Sequence, residues 1–410
     1  MSDALRRGKQ GRWHHDRGAL ARVVGDLLGA ELKQLRPGGG VLAPLPWGAD
    51  MCMSEDGLGL DSLERMEAAS ALSEALQLHE SGVEDLLLAQ RTFGQWTDVA
   101  SHGLAHFDER VAFRTSGSSG QPKRCIHALG DLAQEVEQLA ELFQGTKRIF
   151  TAVPAHHIYG FLLTVLLPKI LGGLEVIDVR LLTPQALMRR LNSGDLVVSH
   201  PAHWSLVARH GGAFPPGVTG VSSTAPCPAQ LAIDLCRSGD GLNRLVQIYG
   251  SSETAGVGWR QAPAAPFQLM PHWTRALDGD LLRECADGSS RSTTVQDVIE
   301  WLDDRHFHVV RRLDAAVQVG GINVFPQRIA EMLLTQPRVR EAKVRLMTAA
   351  EGQRLKAFVV PYPGAETRGL QDELEEWANK NLSTPERPKA YTFGSQLPAG
   401  VNGKDCDWVC

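Results

Sequence analysis

From about residue 108 the sequence alternates short apolar runs with helical stretches, and this alternation limits the possible folds more than any other feature. The runs are VAFRT, RIFTAVP, EVIDV, DLVVSH, GVSST and RLVQIYG, and the stretches between them include DLAQEVEQLAELF and PQALMRRLN. Strands separated by helices are typical of βαβ units, whose strands run parallel under a cover of helices. The sequence therefore predicts an α/β domain with a largely parallel sheet over residues 101–313.

Two further regions flank this domain. Residues 1–100 contain helical patterns in ALARVVGDLLGAELKQL, LERMEAASALSEALQL and VEDLLLAQ, and they are predicted to form a helical segment. Residues 314–410 mix strand-like and helical runs and are predicted to form a small α+β domain. Residues 262–296 are rich in loop-forming residues, and no regular elements are predicted there.

Composition excludes several classes of protein. The chain has 410 residues and a formal net charge of -5, which gives no reason to expect nucleic-acid binding. No stretch approaches the ~20 apolar residues that a membrane span needs, and the basic N-terminus lacks the apolar core of a secretory signal. The seven cysteines are scattered without zinc-ligand or disulfide spacing, so a cytoplasmic location is expected.

A loop rich in serine and glycine follows the strand VAFRT. It reads Thr115-Ser-Gly-Ser-Ser-Gly-Gln-Pro-Lys123, and it combines hydroxyls, two glycines and a lysine. Glycines permit backbone turns in which N–H groups face an anion, and the hydroxyls and the lysine add donors. A triphosphate is the predicted ligand, with an ordinary surface turn as the alternative. The Walker pattern does not align with this loop.

The loop resembles the signature of the adenylate-forming superfamily, which includes acyl- and aryl-CoA ligases. Other segments resemble further motifs of that superfamily in the same order along the chain: HHIYG at 156–160, STAP at 223–226, YGSSET at 249–254, Asp297, RLD at 312–314, VGGINV at 319–324 and PAGVNGK at 398–404. The resemblance implies a reduced adenylate-forming core with a small mobile C-terminal domain. A narrower resemblance, to the small AMP-ligases of bacterial aryl-polyene pigment clusters, implies an aromatic acid as substrate.

The resemblance also implies roles for individual residues. Nucleotide contacts are expected from Thr115, Ser116, Gly117, Ser118, Ser119, Gly120, Ser223, Ala225, Pro226, Tyr249, Gly250, Asp297 and Arg312. Glu253 is expected to help hold Mg²⁺, Lys123 and Lys404 to act in catalysis, and Asp314 to be the hinge. His157, Tyr159 and Ser251 are expected beside the acid. The alternatives are core packing for His157 and Tyr159, a capping contact for Glu253 and a solvated charge for Lys404.

The segment Gly59-Leu-Asp-Ser-Leu-Glu64, which precedes a helix, resembles the attachment site of acyl carrier proteins. In that family the serine, here Ser62, carries phosphopantetheine, whose thiol accepts acyl groups. One face of the helix is predicted to be apolar through Leu63, Met66, Ala69, Leu72 and Leu76. The alternative is a plain helix start in which Asp61 and Glu64 form a capping box.

Together these features predict an AMP-forming ligase that uses ATP and Mg²⁺ to activate a carboxylic acid and passes the acyl group to a thiol. A carboxylate attacks the α-phosphorus only when the charge on ATP is neutralised and the reacting atoms are aligned. Coenzyme A, a separate carrier protein or Ser62 are the possible acceptors. The alternatives are transfer to an amine or alcohol, and a non-catalytic nucleotide-binding or docking protein.

Overall fold

The computed structural model describes residues 12–36, 42–54, 56–115, 123–261, 265–276, 280–313, 316–348, 351–364, 368–398 and 407–408, and of Thr115 only the backbone. The described chain forms two compact units. The larger unit comprises residues 12–32, 42–115 and 124–311, and the smaller one is built chiefly from residues 312 onward.

The larger unit contains the predicted α/β domain. Its strands are β1 (Arg110–Thr115), β2 (Lys123–Ala128), β3 (Arg148–Thr151), β4 (Glu175–Asp178), β5 (Leu196–Ser199), β6 (Thr219–Ser222), β7 (Arg244–Ser251), β8 (Ala255–Arg260), β9 (Phe267–Leu269), β10 (Trp273–Arg275), β11 (Leu281–Glu284), β12 (Ser290–Thr293), β13 (Asp297–Trp301) and β14 (His306–Arg312). Within the described residues, nine of them form one sheet in the order β13-β14-β9-β8-β7-β6-β5-β3-β4.

The half of this sheet from β4 to β7 is parallel, and the neighbours β7, β8, β9 and β14 are antiparallel. Every residue of β5 is buried, as expected for a parallel strand that is covered on both faces. The predicted α/β fold is therefore confirmed, but the sheet is mixed: its parallel part covers the half from β4 to β7, and the predicted largely parallel sheet is too broad a description.

Helices cover the sheet and precede it in the chain. They are α1 (Arg17–Leu35), α2 (Ser62–Leu76), α3 (Leu86–Ala89), α4 (Phe93–His106), α5 (Leu129–Leu142), α6 (Ile158–Phe161), α7 (Leu167–Ile170), α8 (Pro184–Arg190), α9 (Pro201–His210) and α10 (Ala229–Leu235). A π-helical turn, Leu162–Leu166, connects α6 to α7 without a break. Short 3₁₀ turns cover Trp13–His15 and Leu78–Glu80.

The N-terminal helices share one hydrophobic core with the sheet. Leu28 of α1 and Trp96 of α4 belong to the same buried cluster as Ile149 of β3. Arg114 of β1 adds a polar connection, because its guanidinium contacts Glu31 of α1 at 3.0 Å and Glu74 of α2 at 2.8 Å. The helices predicted in this region are present, and most of their residues lie in the larger compact unit.

The apolar face predicted for α2 is only partly correct. Ala69, Leu72 and Leu76 are buried, whereas Leu63 is 71% exposed and Met66 is 57% exposed. The first turn of the helix extends beyond the core, so helical spacing alone overestimates how much of the face is covered.

A small antiparallel sheet, β10-β11-β12, occupies much of the region for which no elements were predicted. Strand β12 has the sequence Ser-Arg-Ser-Thr, and three of its four residues are exposed. Such a strand lacks the alternation of apolar and polar residues by which strands are detected in a sequence.

The smaller unit has the predicted α+β character. It contains the hairpin β15 (Val317–Val319) and β16 (Ile322–Val324), the helices α11 (Pro326–Leu333) and α12 (Leu370–Asn381), and the sheet formed by β17 (Val339–Leu346), β18 (Leu355–Pro361) and β19 (Pro388–Phe393). Gly320 and Gly321 form the hairpin turn with φ values of 61° and 86°. Two consecutive positive φ angles define a tight type I′ turn, which explains the pair of glycines.

Candidate active site

The predicted site residues of the larger unit gather where the parallel strands end. Strands β3, β5, β6 and β7 end at Thr151, Ser199, Ser222 and Ser251. Residues 156–159 and 223–226 follow two of these ends, and residues 249–254 include a third. Carboxyl ends of parallel strands lie at the same edge of a sheet, which is the usual ligand-binding edge of α/β folds.

Tyr249 and Asp297 come together on one side of this edge. The Tyr249 hydroxyl donates to Asp297 Oδ2 at 2.9 Å. Its ring packs against Phe267 and Phe307, with centroids 5.7 and 5.6 Å away. The two residues are 48 positions apart in the sequence. The structure thus places an aromatic ring next to a carboxylate, and the roles of the two residues at the base and the ribose stay predictions.

The segment after β6 has an unusual backbone. Thr224 has a φ of 74°, which is strained for a β-branched residue. The preceding Ser223 donates its hydroxyl to Ile248 O at 2.9 Å, which ties the segment to β7. The half-buried Ala225 and the exposed Pro226 follow. Strain of this kind concentrates at ligand-binding sites, where the surrounding structure enforces it.

The turn after β7 is held by its own side chains. Ser251 Oγ accepts the backbone N–H groups of Glu253 and Thr254, each at 3.2 Å. The Ser251 hydroxyl is therefore part of the turn, and its place beside the acid stays a prediction. Gly250 is required because a Cβ there would lie 2.0 Å from Ala255 O. The turn leaves Glu253 exposed to solvent.

Two buried residues that were not predicted contact this turn and the start of β8. His127 contacts Ser252 O through Nε2 at 2.7 Å, and Glu135 Oε1 accepts the Gly256 N–H at 2.9 Å. Burial raises the pKa of Glu135 to about 8, although Arg283 and the Gly256 N–H oppose this. A histidine and a glutamate on an amphipathic stretch carry no signal of such a role, because it depends on contacts more than 100 residues away in sequence.

His157 and Tyr159 lie after β3. Tyr159 is buried, and its hydroxyl donates to Ser199 O at 2.9 Å. His157 is accessible to solvent, yet desolvation by surrounding protein lowers its pKa to about 4. His157 is therefore a neutral imidazole at pH 7.

A serine–histidine pair extends this side of the site. Ser199 Oγ lies 2.7 Å from His203 Nδ1, at the start of α9. Desolvation, followed by the nearby His200, lowers the pKa of His203 to about 4. Neither residue was predicted, because a serine at a strand end and a histidine in a helix are common in protein cores.

The remaining predicted residues are only partly described. Thr115 ends β1, Lys123 begins β2 with an exposed side chain, and Arg312 ends β14. The other members of the predicted phosphate loop lie outside the described residues, as do the predicted hinge and the predicted C-terminal catalytic lysine: Ser116, Gly117, Ser118, Ser119, Gly120, Asp314 and Lys404.

Ser62, the predicted attachment site, is the first residue of α2 and is exposed. Asp61 caps this helix: its side chain accepts the Glu64 N–H at 2.8 Å, and Glu64 Oε2 accepts the Asp61 N–H at 3.2 Å. The alternative interpretation of this segment, a capping box, is therefore present. Capping does not exclude modification of Ser62, which stays a prediction.

Two family models match the sequence. Residues 65–279 match the AMP-binding enzyme family, and residues 328–404 match the AMP-binding enzyme C-terminal domain.

Similar proteins are found over nearly the whole length. A protein of Cereibacter sphaeroides named 4-coumarate–CoA ligase is 35% identical, with 96% of this chain and 97% of the relative covered. A protein of Rhodobacter capsulatus with the same name is 36% identical, with 95% of this chain and 100% of the relative covered.

Among solved structures, the amide bond synthetase McbA of Marinactinospora thermotolerans superimposes with a TM-score of 0.59, 17% identity and coverage of 94% of this chain and 92% of that one. At this level of identity the superposition supports the fold alone. Among the residues described, no helix is both long enough and apolar enough to cross a membrane.

Proposed function

Because the chain belongs to the AMP-binding enzyme family, we propose that it is an ATP-dependent, AMP-forming ligase for an aromatic acid of the 4-coumarate class, with coenzyme A as the thiol acceptor. The observation that carries this proposal is the 35–36% identity, over 95–96% of the chain, to relatives named 4-coumarate–CoA ligase. The side-chain contacts at the sheet edge support the same proposal, and they do not depend on the sequence comparison.

The side with Tyr249 and Asp297 binds adenosine in this proposal. The Tyr249 ring offers an apolar face to the base, and the Asp297 carboxylate accepts hydrogen bonds from ribose hydroxyls. The hydrogen bond between the two residues fixes the orientation of the carboxylate before ATP arrives. A carboxylate that is already oriented loses less conformational entropy on binding.

Glu253 faces the triphosphate in this proposal, and its residue type suits a magnesium ion that arrives with ATP. Magnesium keeps several waters and is held by phosphates together with one or two carboxylates. Glu253 is the exposed carboxylate of a turn that two buried side chains fix from below. Bound magnesium neutralises part of the phosphate charge, and Lys123 and Lys404 add positive charge for the attack of the substrate carboxylate.

The side with His157 and Tyr159 receives the organic part of the acid. The Tyr159 hydroxyl is engaged with Ser199 O, so the aromatic ring is the part of this residue that can contact the acid. With its low pKa, His157 is uncharged and adds no cation to this wall. Neutral, ring-shaped surfaces suit an aromatic acid better than a second charged group.

The experiment that tests the function measures both half-reactions separately. Purified protein is incubated with MgATP and a panel of 4-coumarate, cinnamate, benzoate and a medium-chain fatty acid, and pyrophosphate release is followed. Coenzyme A is then added, and the thioester is detected by mass spectrometry. We expect 4-coumarate and cinnamate to give faster pyrophosphate release and more thioester than benzoate or the fatty acid.

Two outcomes contradict the proposal at different points. No pyrophosphate with any acid points to a non-catalytic nucleotide-binding protein. Pyrophosphate without a coenzyme A thioester, together with an adenylate that hydroxylamine traps, points to a different acceptor. For the carrier alternative, intact mass after co-expression with a phosphopantetheinyl transferase shows whether Ser62 is modified, with Ser62→Ala as the control.

A further inference from the structure

Helix α1 reaches the acid side of the site through a buried carboxylate. Asp26 is 5% exposed, and its Oδ2 accepts the backbone N–H of Ala155 at 2.7 Å. Its Oδ1 lies 2.7 Å from Nη2 of Arg180, which follows β4 and also pairs with Asp178. Ala155 lies two residues before His157 and four residues before Tyr159.

A second contact comes from the same helix. Arg22 Nη2 donates to Thr164 O at 2.9 Å. Thr164 is buried and lies in the π-helical turn Leu162–Leu166. The residue four positions after Thr164 is Pro168, which has no N–H, so the Thr164 carbonyl cannot accept the usual helical hydrogen bond from that position. Turns of the π type are frequent at functional sites. Arg22 supplies a donor to this carbonyl.

The two contacts hold both ends of one segment. We call residues 155–164 the wall segment; it includes His157 and Tyr159. Arg22 and Asp26 are four positions apart, so they lie on the same face of α1. One contacts the end of the wall segment and the other contacts its beginning.

From this arrangement we propose that Asp26 and Arg22 are positioning residues for the acid pocket: they hold the wall segment in the conformation that selects the aromatic acid. This inference rests on the proposed function for its substrate, and on the contacts of α1 for its geometry. It gives the N-terminal region, which resembles a carrier protein in sequence, a part in substrate selection.

The chain offers a matched control for a positioning role. Asp195 is also buried, with 1% exposure; it pairs with Arg148 at 2.7 Å and accepts the Asn192 N–H at 2.7 Å. It precedes β5 and therefore lies at the amino end of the parallel strands, opposite the site edge. Asp195→Ala removes the same kinds of contact as Asp26→Ala, but far from the acid.

The first readout needs no activity. Hydrogen exchange followed by mass spectrometry is measured on peptides that cover the wall segment in the full-length wild type and both variants. We expect faster exchange at residues 155–164 in Asp26→Ala and wild-type protection there in Asp195→Ala. Equal protection of the wall segment in wild type and Asp26→Ala overturns the proposal, whether or not the protein activates an acid.

The second readout separates acid binding from ATP binding. In Asp26→Ala we expect the KM for 4-coumarate to rise about tenfold or more, because small displacements of a binding wall are costly, while the KM for ATP stays within about twofold. Asp26→Asn keeps an oxygen that accepts the Ala155 N–H, so its acid KM is expected between those of wild type and Asp26→Ala. Equal increases in both KM values, as for a general structural defect, overturn the proposal.

A milder variant covers the case in which Asp26→Ala does not fold. Arg22→Met keeps most of the aliphatic length of a half-buried side chain and removes the donor to Thr164 O together with the positive charge near Asp26. We expect the same direction of change in exchange and in acid KM. If the variants exchange faster at residues 155–164 but the wild type releases no pyrophosphate with any acid, the proposed function fails while the role of Asp26 and Arg22 in holding the wall segment stands.

Discussion

At the scale of single residues, the two sides of the site differ in how their hydroxyl groups are used. The Tyr249 hydroxyl orients the Asp297 carboxylate, whereas the Tyr159 hydroxyl is bonded to the backbone at Ser199. In the proposed site, Tyr249 thus orients a carboxylate, whereas Tyr159 can contact the acid only through its ring. Substitutions at the two sides should therefore change different kinetic constants.

Tyr159→Ala should raise the KM for the aromatic acid by about tenfold and leave the KM for ATP within about twofold, because the ring is lost from the acid side only. Tyr159→Phe keeps the ring and loses one hydrogen bond, so it should cost about 1 kcal/mol of unfolding free energy with little change in acid KM. Steady-state kinetics with each substrate varied in turn checks both. A Phe variant as impaired as the Ala variant would assign the role to the hydroxyl.

Asp297→Ala should show the opposite pattern. A hydrogen bond to a charged group contributes about 1.5–3 kcal/mol, so the KM for ATP should rise by about 10- to 100-fold. The KM for the acid should change little. Tyr249→Phe, which keeps the carboxylate but removes the hydroxyl that orients it, should give a smaller increase. An unchanged KM for ATP in Asp297→Ala would exclude this carboxylate from the nucleotide site.

Glu135 gives the protein a pH-dependent stability. Its pKa is about 8 in the folded state against an ordinary value of 4.5, so the folded state holds a proton that the unfolded state releases. Stability therefore falls as pH rises from about 4.5 to about 8. Relative to Glu135→Gln, the unfolding free energy of the wild type should fall by up to about 1.4 kcal/mol per pH unit over this range.

Urea unfolding at several pH values measures this difference. Comparing the wild type with its own variant cancels the contributions of buried histidines such as His272, whose pKa of about 3 gives a slope of the opposite sign below pH 6.5. Glu137→Gln on the same helix is the control, because Glu137 is exposed. A pH dependence that is the same in the wild type and in Glu135→Gln would show that Glu135 is ionised in the folded protein.

At the scale of elements, the sequence was most informative where local pattern and burial agree. Strands β3, β5 and β7 were predicted because each is a short apolar run between helical stretches. Strand β12 was not, because it is polar and exposed. The site residues divide in the same way. Tyr249 and Asp297 were predicted because their positions resemble family motifs. Asp26 contacts a residue 129 positions away in sequence, and Arg22 contacts one 142 positions away. No local pattern marks a contact of that kind.

At the scale of the whole molecule, the first helix belongs to the same compact unit as the sheet. The contacts of Asp26 and Arg22 connect it to the acid side, and Arg114 connects it to the strand that precedes the predicted phosphate loop. In the proposed site, the N-terminal region thus contributes through its packing. A thiol acceptor at Ser62 would be an additional role for a segment that already has a structural one.

Lys404 of the C-terminal domain is expected to act in only one half-reaction. Lys404 lies outside the described residues, and its proposed role is to stabilise charge while the carboxylate attacks ATP. Loss of one preorganised charged group of this kind typically reduces a rate by about 10²–10³-fold. Lys404→Ala should therefore reduce pyrophosphate exchange by that factor. Thioester formation from a chemically prepared aryl-adenylate and coenzyme A should stay within about threefold of wild type, because the triphosphate is absent from that step.

Lys389→Ala is the matched control, since Lys389 is an exposed lysine of β19 in the same compact unit. It should leave both half-reactions unchanged. Equal losses of adenylation and thioester formation in Lys404→Ala would mean that this lysine supports the domain as a whole. A selective loss of adenylation would instead assign Lys404 to the attack on ATP and show that thioester formation does not need it.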